Sequence, residues 1–162
     1  MFTEYNNLPN HSRVWVYQSE REFTENELVV ITSKATDFIE QWTRHGDDLK
    51  GSFTIRHKQF LILAVDEGFN NVSGCSIDAS VRFVKQLEND LQIDLMNKLN
   101  VSFKDGDSVN IVTLSDFQKY AKEEKITSKT IVFNNMVQTK EEVESKWEVP
   151  ANQSWHQRFL VK

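Results

Sequence analysis

The sequence predicts an α+β protein with a ferredoxin-like βαββαβ core and a C-terminal α/β extension. Residues 13–18 are rich in β-branched and aromatic side chains, and the apolar residues of 28–42 recur at steps of three and four. These patterns indicate a strand followed by a helix with one apolar face. Residues 60–65 are a continuous apolar run, which is typical of a central strand buried on both faces. The first six predicted elements follow the order of the split βαβ pattern.

The first predicted helix has a signal at each end. Thr24 and Glu27 have the spacing of a capping box, in which each side chain binds the backbone N–H of the other residue. His45 and Gly46 are typical of a helix C-terminus, because glycine readily adopts the left-handed conformation found there. Between these ends, one face of the predicted helix contains the apolar residues Leu28, Ile31, Ala35, Phe38 and Trp42.

Shorter patterns predict the remaining elements. Residues 52–57 alternate as a half-buried strand does, and a second helix begins near Ser76. The Asp-Gly pair at 105–106 predicts a hairpin between two short strands, the first of which is the sixth element of the core. The extension then continues with a helix at 115–123, a strand at 130–133, a capped helix from 139 that stops at Pro150, and an aromatic tail. No linker or repeat interrupts this order, so residues 1–162 are predicted to be a single domain.

Charge and cysteine content narrow the classes of function. The net charge is −5, and the lysines and arginines are scattered among acids, which argues against nucleic-acid binding. Cys75 is the only cysteine, so no disulfide can form within the chain, as is usual in a reducing compartment. The start of the chain lacks the pattern of a signal peptide, and its apolar runs are too short to cross a bilayer. We therefore expect a cytoplasmic protein without membrane insertion.

The motifs of several enzyme classes are absent from the sequence. None of the five glycines belongs to a phosphate-binding loop of the type G-x-x-x-x-G-K-[ST] or to G-x-G-x-x-G. There is no G-x-S-x-G elbow and no H-E-x-x-H. His11 and His156 have no metal-ligand spacing with other residues. These absences favour a protein that is not an enzyme and not a P-loop ATPase, and we predict neither a metal nor a cofactor.

The segment 73–78 is the strongest candidate for a binding site. It follows the apolar strand and enters a helix, and ligands of α/β sheets often lie beyond the carboxyl ends of strands. A helix N-terminus offers backbone N–H groups and partial positive charge to an anion or a thiolate. Hydroxyls of Ser73 and Ser76 would add donors, and Gly74 would let a ligand approach the backbone. Asp78 lies in the same segment and would oppose an anion.

A purely structural interpretation of the same segment is also open. Ser76 would be the helix N-cap, Asp78 would complement the helix dipole, and Cys75 would be a small buried residue. Burial and the Asp78 carboxylate would both disfavour the thiolate, so this interpretation predicts slow alkylation of Cys75 at neutral pH. The opposite hypothesis makes Cys75 the nucleophile of an enzyme or the thiol of a sensor, with His57 or His45 as its base.

Two histidines give weaker candidates. His57 lies between Arg56 and Lys58, and this trio either binds an anion or marks a solvated hairpin end. His45 is followed by Gly46 and two aspartates, which either form an acid–base cluster or simply end a helix. We include His57 among the predicted ligand-binding residues.

The chain resembles a family of short bacterial proteins of unknown function. The resemblance is carried by residues 42–46, by 60–66 and above all by the sequence Ser-Gly-Cys-Ser-Ile-Asp at 73–78, and it extends to 147–150 and 154–156. Members of this family often bear the label "ABC transporter ATPase". The resemblance implies a bacterial origin but no established activity. An ABC ATPase needs a phosphate-binding loop, a carboxylate for Mg²⁺ and a longer chain, so the residues give the label no support.

Taken together, the sequence favours a non-catalytic binding or interaction module. Its ligand would be an unidentified small molecule or protein, and a small anion at 73–78 is the sharpest form of this hypothesis. The alternative is a cysteine-dependent enzyme or thiol sensor that uses Cys75. A third interpretation is a structural homodimer that has no ligand.

Overall fold

The structure, a computed structural model, describes residues 1–161, and helices and strands are mixed throughout them. The chain divides into two compact units. Unit 1 contains Met1–Met96 together with Gln138–Glu141, and unit 2 contains Asn97–Val137 together with the residues from Glu142 onward. The chain thus leaves unit 1 and later returns to it for four residues. The single domain over 1–162 stays a prediction.

Unit 1 is built on a three-stranded antiparallel sheet. Its elements are β1 (Arg13–Gln18), α1 (Glu25–Gln41), β2 (Thr43–Arg44), β3 (Asp47–Asp48), β4 (Gly51–Arg56), β5 (Phe60–Val65) and α2 (Gly74–Leu91). The sheet has the order β1-β5-β4, and all six side chains of β5 are buried. The prediction of a central strand at 60–65 is therefore confirmed.

One face of β5 packs against both long helices of unit 1. Successive side chains of a strand point to opposite faces, so Leu61, Leu63 and Val65 share one face. These three residues belong to a single apolar cluster to which α1 contributes Ile31, Ile39 and the adjacent Trp42, and α2 contributes Val84 and Leu87. The expectation that both helices lie on the same sheet is confirmed.

The start of α1 follows the sequence signal, whereas its end does not. Thr24 is the N-cap, and the reciprocal bonds of the capping box with Glu27 are both present. The helix ends at Gln41, and His45 and Gly46 instead form the two-residue turn between β2 and β3, with φ of +50° and +85°. The predicted C-terminus was wrong because a tight hairpin turn needs the same left-handed conformation as a helix end.

The complete ferredoxin-like core is not confirmed. The predicted sixth element, residues 101–104, pairs within unit 2 rather than beside β1. The returning segment lies at the edge of β1 instead. Arg13 forms an antiparallel bridge with Thr139, and the Val14 N–H donates to the Gln138 carbonyl at 2.9 Å. The order of predicted elements could not show this, because the edge residues come from a segment more than 120 positions later in the chain.

Lys140 anchors this returning segment within unit 1. The residue is 9% exposed, and its ammonium donates to the Leu8 carbonyl at 2.7 Å and to the Asn6 carbonyl at 3.4 Å. The same ammonium lies 5.3 Å from the centre of the Tyr5 ring. Carbonyl oxygens and an aromatic face compensate a buried cation, which explains how a lysine is accommodated there.

Unit 2 contains a second antiparallel sheet with the order β7-β6-β8-β9. Its elements are β6 (Asn100–Asp105), β7 (Ser108–Thr113), α3 (Leu114–Lys122), β8 (Ile131–Phe133) and β9 (Glu148–Pro150), with a π-helical turn at Val143–Trp147 before β9. The hairpin predicted at 105–106 is confirmed, with Gly106 at φ +62° in its turn. The helix predicted from 139 to Pro150 is shorter than expected, since Pro150 lies in β9.

The core of unit 2 forms where α3 covers the sheet. Phe117 of α3 is fully buried, with Val101 of β6 and Val132 of β8 in the same apolar cluster. Trp155 and Phe159, the aromatic residues of the predicted tail, pack against this cluster. Within residues 1–161, no helix combines the length and the apolar character needed to cross a membrane.

Candidate functional site

The segment 73–78 begins beyond the carboxyl end of β5, after a turn organised by Asp66. The Asp66 N–H donates to the Lys50 carbonyl at 2.8 Å, and its carboxylate accepts the Gly68 N–H at 2.9 Å. Its carbonyl accepts the Phe69 N–H at 3.1 Å. A side chain of Asp that binds the backbone two residues later is a usual way to fix a turn. Hydrogen bonds of Asp66 therefore fix the backbone that immediately follows the central strand.

Ser73 and Ser76 form the cap of α2. The Ser73 hydroxyl oxygen accepts the Ser76 N–H, and the Ser76 hydroxyl oxygen accepts the Ser73 N–H, both at 3.2 Å. Ser73 is thus the N-cap and the helix begins at Gly74, so the prediction that Ser76 caps the helix was wrong. Ser76 occupies the third helical position instead, where a capping box places its second side chain.

The two serine hydroxyls have no proton left for a ligand. Ser76 donates its hydroxyl proton to the Thr43 carbonyl at 3.0 Å. The two hydroxyl oxygens are 2.9 Å apart, so Ser73 is the donor in that contact. The predicted role of these hydroxyls as ligand donors is replaced by a structural role.

Trp42 forms a buried hydrogen bond with the start of α2. Its indole N–H donates to the Ser76 carbonyl at 2.9 Å, and its side chain is 2% exposed. The Trp42 ring lies 5.9 Å from Trp15 and 5.1 Å from Phe38, measured between ring centroids. The sequence placed Trp42 on the apolar face of α1, but no signal could identify a hydrogen-bond partner 34 residues away.

Two backbone donors at the start of α2 remain open. The N–H groups of Gly74 and Cys75 belong to the first helical turn, where no intrahelical acceptor exists, and no other acceptor within residues 1–161 binds them. A Cβ at Gly74 would meet nothing within 4 Å, and Gly74 and Cys75 are both exposed. Gly74 does not have a positive φ, and the reason for a glycine there is therefore not a left-handed backbone.

Cys75 is exposed, which overturns the expectation that it is buried. The buried positions of α2 are Ser76, Ser80, Val84 and Leu87, at steps of four, four and three. Cys75 precedes the first of them by one residue, or about 100° of helix rotation, and so lies off the buried face. Its sulfur makes no hydrogen bond within residues 1–161. Asp78 is exposed as well.

The structure does not bring His57 to this segment. His57 lies in the turn before β5 with φ +53°, whereas the segment 73–78 follows the other end of β5. Six residues of strand separate the two ends by roughly 17 Å. His45 belongs to the hairpin that starts at Thr43, which is bonded to Ser76, but neither histidine forms a hydrogen bond with Cys75.

The start of α2 presents two backbone donors and one thiol that have no hydrogen-bond partner among the described residues. Two open N–H groups at the positive end of an 18-residue helix can bind a small anion. An adjacent base is one way to activate a cysteine nucleophile, and no side chain of the described residues is hydrogen-bonded to Cys75. Within residues 1–161, no cluster of three or more histidine, cysteine, aspartate or glutamate side chains could hold a metal ion.

No protein-family model, curated protein or solved structure matches this chain.

Proposed function

We propose that this chain is a non-catalytic binding module that takes a small anion at the start of α2. The observation that carries the proposal is the pair of open N–H groups at Gly74 and Cys75, two exposed residues at the start of the helix. Both donors point along the helix axis toward the position where partial positive charge accumulates. A phosphate or carboxylate oxygen fits these donors, and the serines, which hold the cap, do not contact it.

The support beneath the donors strengthens this proposal. Ser76 is 1% exposed and is bonded to Thr43, and its carbonyl is bonded to Trp42. Donors held by a buried framework lose little conformational freedom on binding. With only two backbone donors and an exposed site, we expect a dissociation constant of about 1 mM.

The variant Gly74→Pro tests the proposal directly. Proline is favoured at the first position of a helix and lacks an N–H, and Ser73 already has the extended conformation that a following proline requires. The variant therefore removes one donor and leaves the fold intact. Titration with inorganic phosphate, followed by the amide shift of Cys75, should give saturable binding in the wild type and at least about tenfold weaker binding in the variant.

Glu25→Pro is the matched control, since Glu25 is the first residue of α1 and also follows an extended N-cap. This variant should bind phosphate as the wild type does. Unsaturable shifts in the wild-type protein, or equal binding by Gly74→Pro, would show that the open donors do not form an anion site.

A thiol sensor is the second candidate function, and the exposure of Cys75 favours it. The thiol lies in the first turn of α2, beside the two open N–H groups. Oxidation or alkylation at this position would add bulk in front of the open donors. Without a bonded base the thiol would act as a modified residue and not as a catalytic nucleophile.

We make three further proposals about this chain. They are membership of the bacterial family that carries Ser-Gly-Cys-Ser-Ile-Asp, a cytoplasmic location, and assembly into a homodimer. Each is compatible with a binding module. ATP hydrolysis is not part of the proposal, because the sequence lacks a phosphate-binding loop.

A further inference from the structure

Unit 2 contains an open groove of about 680 Å³ that is separate from the start of α2. The groove lies between the end of β6, the residues after α3 and the residues that lead into β8. Ligand sites in proteins commonly measure about 300–1,000 Å³, so the groove has the size for a small organic molecule.

Four residues of the groove lining, here called the floor, have side chains that are apolar apart from the Tyr120 hydroxyl: Phe103, Tyr120, Ile126 and Ile131. Ile126 is 2% exposed, and Phe103, Tyr120 and Ile131 are half-buried around it. Two of these four side chains are aromatic and can contact a flat ring by stacking or by an edge. An entirely polar or inorganic ion would leave this floor without a partner.

The rim of the groove is cationic. Lys104 lies in β6, Lys125 and Lys129 lie in the connection between α3 and β8, and Asp105 is the single acid of the lining. The Lys104 ammonium is held by Glu148 at 3.1 Å. Lys129 has no ion-pair partner among the residues that the structure describes.

Lys125 can also reach a ligand at little cost. Its ammonium contacts the Glu123 carboxylate at 3.0 Å, but the two side chains are 67% and 38% exposed. Exposed ion pairs contribute little to stability, so an anion in the groove can compete with Glu123. The same ammonium lies 5.6 Å from the centre of the Tyr120 ring and therefore already sits at the edge of the floor.

We propose that this groove binds a small aromatic anion, with its ring on the apolar floor and its phosphate or carboxylate group between Lys125 and Lys129. The proposal concerns unit 2 and does not depend on the anion site at α2. A ring without an anionic group would leave the lysines uncompensated, and an anion without a ring would not use Phe103 and Tyr120.

Phenyl phosphate is the probe for this proposal. Titration of the full chain should shift the amides of Gly106, Lys129 and Ile131 saturably, and inorganic phosphate should shift the same amides at least about tenfold more weakly, because it leaves the floor empty. Lys129→Met, which removes the charge and keeps the apolar stem, should weaken phenyl phosphate about fivefold, and Lys125→Met should behave similarly.

Lys122→Met is the matched control, since Lys122 is an exposed lysine at the end of α3 outside the groove lining. It should bind phenyl phosphate as the wild type does, and Gly74→Pro should too, which separates this site from the one at α2. Equal weakening by Lys122→Met and Lys129→Met would indicate a general attraction and overturn the proposal. Equal affinity for phosphate and phenyl phosphate at these amides, or no saturable shift, would overturn it as well.

Discussion

Replacing Trp42 with alanine is expected to lower the free energy of unfolding by about 3–5 kcal/mol. The indole is 2% exposed, packs against Trp15 and Phe38, and donates its N–H to the Ser76 carbonyl. The variant removes the packing and also the hydrogen bond from the indole N–H to the Ser76 carbonyl. Urea denaturation, followed by far-ultraviolet circular dichroism, measures the change.

Trp42→Phe separates packing from hydrogen bonding at the same position. It keeps most of the ring contacts and removes the donor, so we expect a loss of about 1–3 kcal/mol. Hydrogen exchange at the Ser76 and Ile77 amides, the first bonded amides of α2, should quicken in this variant, because Trp42 fixes the start of the helix. A Trp42→Ala protein as stable as the wild type would contradict the buried position of this residue.

Acidification is expected to destabilise unit 2 through His156. The side chain is fully buried, its Nδ1 lies 2.8 Å from the Ser154 hydroxyl, and its ring stacks on Trp155 at 3.7 Å between centroids. Burial disfavours the charged imidazolium and lowers the pKa of His156 from 6.5 to about 4.

The sign of the pH effect follows from where each state binds the proton. Below pH 6.5 the unfolded chain binds a proton at His156, whereas the folded chain does not bind one until the pH approaches 4. The free energy of unfolding therefore falls as the pH decreases through this window, by about 3 kcal/mol in total. Above pH 6.5 this residue contributes no pH dependence.

Unfolding curves of wild type and His156→Gln between pH 7 and 4 test this prediction. The neutral variant should lose about 3 kcal/mol less over the window than the wild type. If His156→Gln and wild type lose the same stability on acidification, the buried histidine is not the cause.

Local patterns in the sequence predicted local structure well. Thr24 and Glu27 lie within one helical turn, and their capping box formed as expected. The apolar run at 60–65 became the central strand because only a position buried on both faces accommodates six consecutive apolar side chains. Such features depend on neighbours in the chain, which the sequence displays directly.

Features that depend on distant residues were missed. The strand at 101–104 has a strong hairpin partner immediately after it, yet the alternation of side chains does not say which sheet a hairpin joins. The returning residues at 138–140 occupy the edge of β1 through backbone bonds, for which no side-chain pattern exists. For these reasons the sequence predicted the elements of unit 1 better than their sheet partners.

At the candidate site, the exposure of Cys75 was within reach of the sequence. Once a helix contains Ser76, Ser80, Val84 and Leu87 on its buried face, the residue before the first of them must lie off that face. The choice between Ser73 and Ser76 as N-cap was harder, because both residues are serines and serine is a favoured N-cap residue. The bond from Ser76 to Thr43, which decides the matter, joins residues 33 positions apart.

Alkylation of Cys75 by iodoacetamide, with and without phosphate, tests the proposed anion site most directly. Cys75 is exposed and its own N–H is one of the two open donors, so a bound anion should shield the sulfur and oppose the thiolate. At constant ionic strength, phosphate should slow labelling saturably in the wild type, with the midpoint seen in the amide titration, and should not do so in Gly74→Pro. A labelling rate that does not change with phosphate would contradict the anion site, and rapid labelling at a pH well below the range of free thiols would give the thiol sensor first place.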